Sequence, residues 1–440
     1  MITTMIVIFV IGYLLIALEN PLNVNKTTFA LLTCGALWTV YALMGHDAAI
    51  HDGILAQLGE TCEILTFLIG AMTIVEIIDR YGGFSTITDH INVKNKRHLM
   101  WVLCWLSFVM SAVLDNMTTT IIMVMVLRKL LADQKERWLF AGLIVIAANA
   151  GGAFSPIGDV TTIMLWMDGK VSSAGLIVNL ILPSAVALLI PLLIAQFLIK
   201  EGKVQKVKTF AEKHPTIAQD HPHLSKAMLI IGVVGLLFVP VFKTLTGLPP
   251  FMGIMISLGI IWLITEIWVS RFKIDTNLGG RVSSAVRSID MSTILFFMGI
   301  LMAVSALNQA GILESATKNL DVSRPVMMTT IIGYLSSIVD NVPLVSACIK
   351  MFGDLTASSD PTMACFAEDG LFWHLLTYCA GVGGSLLIIG SAAGVVAMGI
   401  EKIPFFWYVK RISLLAMAGY LAGILIIYLE SLCPLFMSVG

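Results

Sequence analysis

The chain alternates long apolar stretches with short polar ones, and the lengths of the apolar stretches carry the first information. A helix that crosses a bilayer needs about 20 mostly apolar residues. Stretches of suitable length are predicted at 1–18, 27–44, 64–80, 138–166, 173–199, 226–243, 249–270, 289–307, 371–399 and 411–433. Two more, 99–130 and 325–350, are apolar but interrupted near the middle by the same polar pair, Asp115-Asn116 and Asp340-Asn341. The arms of the first are about 16 residues each, short of a comfortable crossing. A re-entrant hairpin with Asp-Asn at its tip is therefore expected in each, since non-helical backbone at membrane depth is tolerated when buried in protein or facing a wet cavity. The expected fold class is an all-α polytopic membrane protein with about ten spanning segments plus two hairpins.

The pattern also repeats. Phe67, Gly70 and Gly82 fall on Phe296, Gly299 and Gly311 at a constant offset. Each half then carries its Asp-Asn pair. Each next carries two glycines, five residues and a third glycine: Gly151-Gly152 to Gly158, and Gly383-Gly384 to Gly390. Isolated glycines are ordinary helix-packing residues; three features in the same order argue for a duplication. The expected organisation is a first repeat at 1–199 (hairpin 99–130, broken helix 138–166), a cytoplasmic linker at 200–225, and a second repeat at 226–440 (hairpin 325–350, broken helix 371–399). On this layout the halves enter the membrane from opposite sides, an inverted-topology design recurrent among secondary transporters.

Charge fits that layout. With the linker in the cytoplasm and both termini outside, 22 of the 27 lysines and arginines lie inside, as the positive-inside rule expects. The loop expected at 45–63 carries Asp47, Asp52, Glu60 and Glu63 and no basic residue. Composition agrees: the chain is 58% hydrophobic and 12% charged, against roughly 25% charged in soluble domains. A net charge of −1 gives no reason to expect a nucleic-acid partner. The seven cysteines show no CxxC pair or metal-like spacing, so neither a disulfide framework nor a metal centre is expected. The first segment lacks a basic start and a small-residue cleavage site, and is read as a retained helix.

Candidate chemistry lies where polar residues interrupt apolar sequence. Gly and Pro in 149–162 discourage a continuous helix, and a broken helix leaves free backbone groups near the midplane that can hold an ion. Its counterpart runs from Gly383-Gly384-Ser385 to Gly390-Ser391. Asp115, Asp159 and Asp340 fall at predicted breaks, although a charge at a helix centre costs about 2.5–3.5 kcal/mol on insertion scales. Acids among hydroxyl and amide oxygens suit a hard cation or a proton. One carboxylate that holds either, but not both, yields antiport. The plainer readings are that Asp115 and Asp340 cap hairpins, that Asp159 is an N-cap, that Asn149, Thr161 and Thr162 are helix contacts, and that Glu76 and Asp79 pair near Arg80. The first half is more acidic: Glu76, Asp79 and Asp159 align with Ser305, Asn308 and Ser391. The main cation site is expected there.

The stretches Leu114-Asp115-Asn116-Met117-Thr118-Thr119-Thr120, Ala147 to Thr162, and Val339-Asp340-Asn341-Val342-Pro343 resemble those of the NhaD-type sodium/proton antiporters, within the ion transporter superfamily that also holds citrate, dicarboxylate and arsenite carriers. The resemblance covers nearly the whole chain. It implies export of Na⁺ or Li⁺ driven by inward proton flow, no cofactor beyond the transported ions, a prokaryotic cytoplasmic membrane and a homodimer. It places the polar site on Asp115, Asn116, Asn149, Asp159, Thr161, Thr162, Asp340, Asn341 and Ser385. The cation is expected at Asp115, Asn149, Asp159 and Thr161, and a proton relay at Glu76 and Asp79. Dicarboxylate relatives carry a neutral tip where Asp115 and Asp340 stand here. The rival readings are an organic-anion or arsenite carrier and, from another class, an intramembrane aspartyl protease. The latter's Gly-x-Gly-Asp signature is absent, because Pro156 stands where the first Gly should be.

Overall fold

In the computed structural model the chain is built from α-helices. The structure describes all residues except 1, 23, 44–46, 85–92, 94, 200, 201, 203–216, 275–279, 318–323, 339–340, 354, 356–360 and 433–440. Asp340 and most of the 200–225 linker therefore lie outside the described residues. The first half contains α1 (Ile2–Ala17), α2 (Lys26–Ala42), α3 (Asp47–Arg80), α4 (Lys96–Ser111), α5 (Asn116–Leu130), α6 (Gln134–Ala153), α7 (Val160–Met167) and α8 (Ser173–Leu198). The second contains α9 (Pro222–Thr246), α10 (Pro250–Phe272), α11 (Met291–Gln309), α12 (Pro325–Ile338), α13 (Asn341–Phe352), α14 (Leu371–Gly383), α15 (Ala392–Glu401), α16 (Phe405–Arg411) and α17 (Ser413–Ser431).

Among the described residues, six helices are long and apolar enough to cross a membrane: α3 over Gly53–Arg80, α8, α9, α10, α11 and α17. Helices α5, α12, α13 and α14 are apolar but shorter. One expectation is corrected. The segment 45–63, read as an outer loop, belongs from Asp47 onward to the 34-residue helix α3. It contains no proline and is rich in Ala, Leu, Gln and Glu, all good helix formers. Its charges marked it as outside the lipid but could not mark the end of the helix.

The stretches read as broken do break. Helix α6 stops at Ala153 and α7 begins at Val160; α14 stops at Gly383 and α15 begins at Ala392. The glycines of these breaks are points of close backbone approach. A Cβ on Gly151 would lie 2.1 Å from the Phe108 carbonyl oxygen, and one on Gly383 would lie 2.6 Å from the Gly333 carbonyl oxygen. Serines seal the same crossings: Ser111 Oγ donates to Ala148 O at 2.6 Å, and Ser336 Oγ donates to Ala380 O at 2.9 Å. Thus α4 meets α6 as α12 meets α14.

The two halves exchange helices. α2 packs along α11, and α10 packs along α3. The glycines that align in sequence sit at these contacts. Gly299 faces the backbone of Ala30, and Gly70 faces Ile254. At the ends of α3 and α11, Gly82 and Gly311 have φ of 70° and 68°, a left-handed turn that glycine adopts without penalty.

Adding a methyl at these close backbone approaches is expected to be costly. Gly151→Ala and Gly383→Ala should each lower stability by about 1–3 kcal/mol, the usual range for overpacking. Gly259→Ala, where a Cβ meets nothing within 4 Å, should change little. Thermal denaturation of detergent-solubilised protein checks the contrast.

Candidate ion-binding site

Each half-helix that restarts after a break begins with a capping side chain in extended conformation. Asp159 (φ −147°, ψ 150°) starts α7, and Ser391 (φ −145°, ψ 154°) starts α15. Asp159 Oδ1 accepts from the Thr161 amide and the Thr161 hydroxyl, both at 2.9 Å. Thr162 Oγ1 returns to the Asp159 backbone, donating to its carbonyl at 2.7 Å and accepting from its amide at 3.2 Å. This reciprocal capping box satisfies donors that a helix start leaves open. The N-cap reading of Asp159 is therefore correct as far as it goes.

Capping uses only part of the carboxylate. Asn116 Nδ2, from the first turn of α5, donates to Asp159 Oδ2 at 2.5 Å and to Asn149 Oδ1 of α6 at 3.1 Å. Asn341 Nδ2, at the start of α13, lies 3.4 Å from both Asp159 oxygens. Asn149 Nδ2 donates to Ser385 Oγ and Ser391 Oγ, both at 2.9 Å. Asn116, Asn149, Asp159, Thr161, Asn341, Ser385 and Ser391 thus form one continuous polar cluster. All are buried, Asp159 to 2% exposure and Asn149 to none. Both halves of the chain contribute. Hydrogen bonds to a charged group are worth about 1.5–3 kcal/mol each, so those to Asp159 suffice to offset the insertion penalty of its charge. Thr161, Asn116 and Asn341 contribute no positive charge.

The other predicted residues are placed differently. Asp115 caps α5: its carboxylate accepts from the Thr118 amide at 2.7 Å and the Thr118 hydroxyl at 2.5 Å. It is half-buried and lines a mainly apolar cavity beside Asn116, with Val75, Ile157 and Phe297 among its neighbours. Its neighbour Asn116, rather than Asp115 itself, makes the hydrogen bonds to Asn149 and Asp159 just described. Glu76 pairs with Arg80, one turn further along α3, at 2.8 Å, and Asp79 is exposed near the same end.

Two features are not marked as site residues by the sequence. Ser391 was seen only as the neutral counterpart of Asp159, yet its hydroxyl meets Asn149; the alignment of the two breaks was the available signal. Glu401, the last residue of α15, is fully buried between two arginines, Arg128 Nε and Arg137 Nε, each 2.9 Å from one of its oxygens. A lone acid closing an apolar stretch was the only hint.

Six membrane-length apolar helices among the described residues, with a buried polar cluster where helices break, mark a multi-pass membrane protein. Residues 13–367 match the family described as citrate transporter (CitMHS), and the chain belongs to that family. It is also similar to "Sodium/proton antiporter 2" of Arabidopsis thaliana, 42% identical over 96% of this chain and 98% of that one. It is 30% identical to "Na(+)/H(+) antiporter NhaD" of Vibrio cholerae over 96% of this chain and 90% of that protein. The NhaD of Alkalimonas amylolytica is 31% identical, over 95% and 88%.

Asn149 joins the two halves of the cluster. Asn149→Ala should leave Asn116, Ser385 and Ser391 each short of a buried partner, at a cost of about 1–3 kcal/mol. The expected readout is a lowered unfolding midpoint in detergent, with a smaller drop for Asn149→Gln.

Proposed function

We propose that the protein exchanges Na⁺ or Li⁺ for H⁺ by alternating access, with Asp159 as the carboxylate that carries cation and proton in turn. The observation that carries this reading is the Asp159 carboxylate itself: buried at a helix break and held by the Thr161 hydroxyl and by amides from both halves of the chain. A dehydrated Na⁺ or Li⁺ needs hard oxygen ligands. Asp159, Thr161, Asn149 and the serines are the oxygen donors at hand, with Asn116 and Asn341 steadying the carboxylate. Proton and cation compete for the same carboxylate oxygens. Occupation by one expels the other, and that exclusion is the coupling. The names of the relatives, sodium/proton antiporters from a plant and from bacteria, support the same exchange.

The finer architecture belongs to this proposal. We read α4–α5 and α12–α13 as re-entrant hairpins and the halves as inverted repeats. The matched glycine contacts, the matched serine seals and the exchange of α2 and α10 between halves support that reading. Termini outside, a cytoplasmic membrane of a prokaryote and a homodimer complete it. Asp115 then stands at the first hairpin tip, as the cap that fixes Asn116; Asp340 lies outside the described residues. Glu76 and Asp79 lie where protons could be exchanged with the cytoplasm.

The family's description favours one alternative, an organic-anion carrier. A citrate-like anion would require compensating positive charge, and the cluster built around Asp159 is acidic and neutral. The experiment uses proteoliposomes with a trapped pH dye and an imposed acid interior. External Na⁺ or Li⁺ should dissipate the gradient, while K⁺ and choline should not. Asp159→Asn should reduce the exchange at least a hundredfold in protein that remains monodisperse. Exchange that persists in Asp159→Asn removes Asp159 from the role, and citrate-dependent current without cation–proton exchange supports the anion carrier.

A further inference from the structure

The polar cluster has a counterpart at the far ends of the helices that build it. Asn116 opens α5, and Arg128 lies three turns further along the same helix. Asn149 lies toward the end of α6, and Arg137 lies three turns back. Ser391 opens α15, and Glu401 closes it. At 1.5 Å per residue, the separations are about 18 Å on α5 and α6 and about 15 Å on α15. So three helices that meet through Asn116, Asn149 and Ser391 at one end meet again through Arg128, Arg137 and Glu401 at the other.

The second meeting is as complete as the first. One Glu401 oxygen accepts from Arg128 Nε and the other from Arg137 Nε. Arg128 Nη2 also donates to Ile400 O at 2.8 Å, and Trp138 Nε1 donates to Glu401 O at 3.0 Å. Gln134 Nε2 reaches the same carbonyl at 3.3 Å. Arg137 Nη1 binds Leu131 O and Ala132 O, tying in the turn between α5 and α6. These donors satisfy carbonyls that a helix end leaves open. A carboxylate at a helix C-terminus is itself unfavourable toward the helix dipole, so Glu401 is not explained by helix capping. The corresponding end of α7 is fastened differently: Asp168 pairs with Lys170 at 3.5 Å, and Lys243 Nζ of α9 donates to Trp166 O.

We propose that Glu401 is a positioning residue for cation binding: it fixes the axial register of α5, α6 and α15, and thereby the spacing of Asn116, Asn149 and Ser391 around Asp159. The proposal rests on the reading of Asp159 as the carrier. The backbone hydrogen bonds of an α-helix hold its rise per residue, so a slip at the arginine end is carried along the helix to the site. Hydrogen bonds between 2.9 and 3.1 Å tolerate only a few tenths of an ångström before they weaken. The clasp also joins two helices of the first half to one of the second.

The test is Na⁺-driven proton exchange in proteoliposomes for the wild type, Glu401→Gln, Arg128→Gln and Asp159→Asn. Glu401→Gln should raise the half-saturating Na⁺ concentration at least tenfold, with the maximal rate falling less than threefold. Arg128→Gln, which keeps one arginine on Glu401 and alters a partly exposed side chain, should raise it by a smaller factor. An unchanged half-saturation in Glu401→Gln, or a fall in maximal rate alone, overturns the proposal. If Glu401→Gln does not fold, Arg128→Gln decides by the same criterion. A silent Asp159→Asn beside an unshifted Glu401→Gln defeats only the clasp. An active Asp159→Asn beside a shifted Glu401→Gln keeps the clasp and defeats the reading of Asp159.

Discussion

Lipid offers no hydrogen bonds, so a helix interrupted at membrane depth must have its freed backbone groups satisfied by protein. Most of what is distinctive in this structure answers that constraint. Side-chain-to-backbone hydrogen bonds tie the two breaks, 154–159 and 384–391, and the helix ends beside them to neighbouring segments. Ser111 and Ser336 bind the carbonyls of Ala148 and Ala380. Ser155 binds Ala112 O, and Tyr408 binds Ser385 O. The glycines let the backbones come close enough for this. With the breaks secured, capping residues are needed to restart the helices, and the first half uses a carboxylate where the second uses a hydroxyl. Capping and ion chemistry are thus not competing explanations of Asp159. The cap holds one oxygen at a fixed place, and the other faces Asn116.

This division of labour separates two acids that look equivalent in the chain. Asp115 and Asp159 both open helices and both accept an amide and a hydroxyl from the residues that follow. Of these two, Asp159 also accepts hydrogen bonds from side chains of other helices, Asn116 and Asn341. Asp115 serves the cluster indirectly, by setting the first turn of α5 so that Asn116 projects toward Asn149 and Asp159.

Much of this could be read from the chain, for identifiable reasons. Apolar length located the spans α8, α9, α10, α11 and α17, because lipid thickness fixes that length. The breaks were legible because glycine and proline act locally. Asn116, Asn149, Asp159, Thr161, Asn341 and Ser385 were recognisable as polar residues in apolar sequence. The helical extension of α3 back to Asp47 was not, because charge reports on solvent contact and not on helix ends. Nothing local to Ser391 marks its role, because its partner Asn149 is 242 residues away. The pairing of Glu401 with Arg128 spans 273 residues, and nothing local to either residue announces it.

The exchange of helices between halves bears on how the chain is assembled. α2 is fastened to α11 by Thr27 to Ser292 O, Trp38 to Met302 O and Tyr41 to Gln309 O, and the first of these contacts spans 265 residues. At ribosomal rates of about 5–20 residues per second, α2 waits on the order of half a minute before its partner emerges. During that interval its small-residue face and its polar anchors lie in the bilayer without the surface they fit. The first half cannot complete itself ahead of the second. In this architecture the final packing of α2 waits for α11, so the last contacts of the first half close together with those of the second.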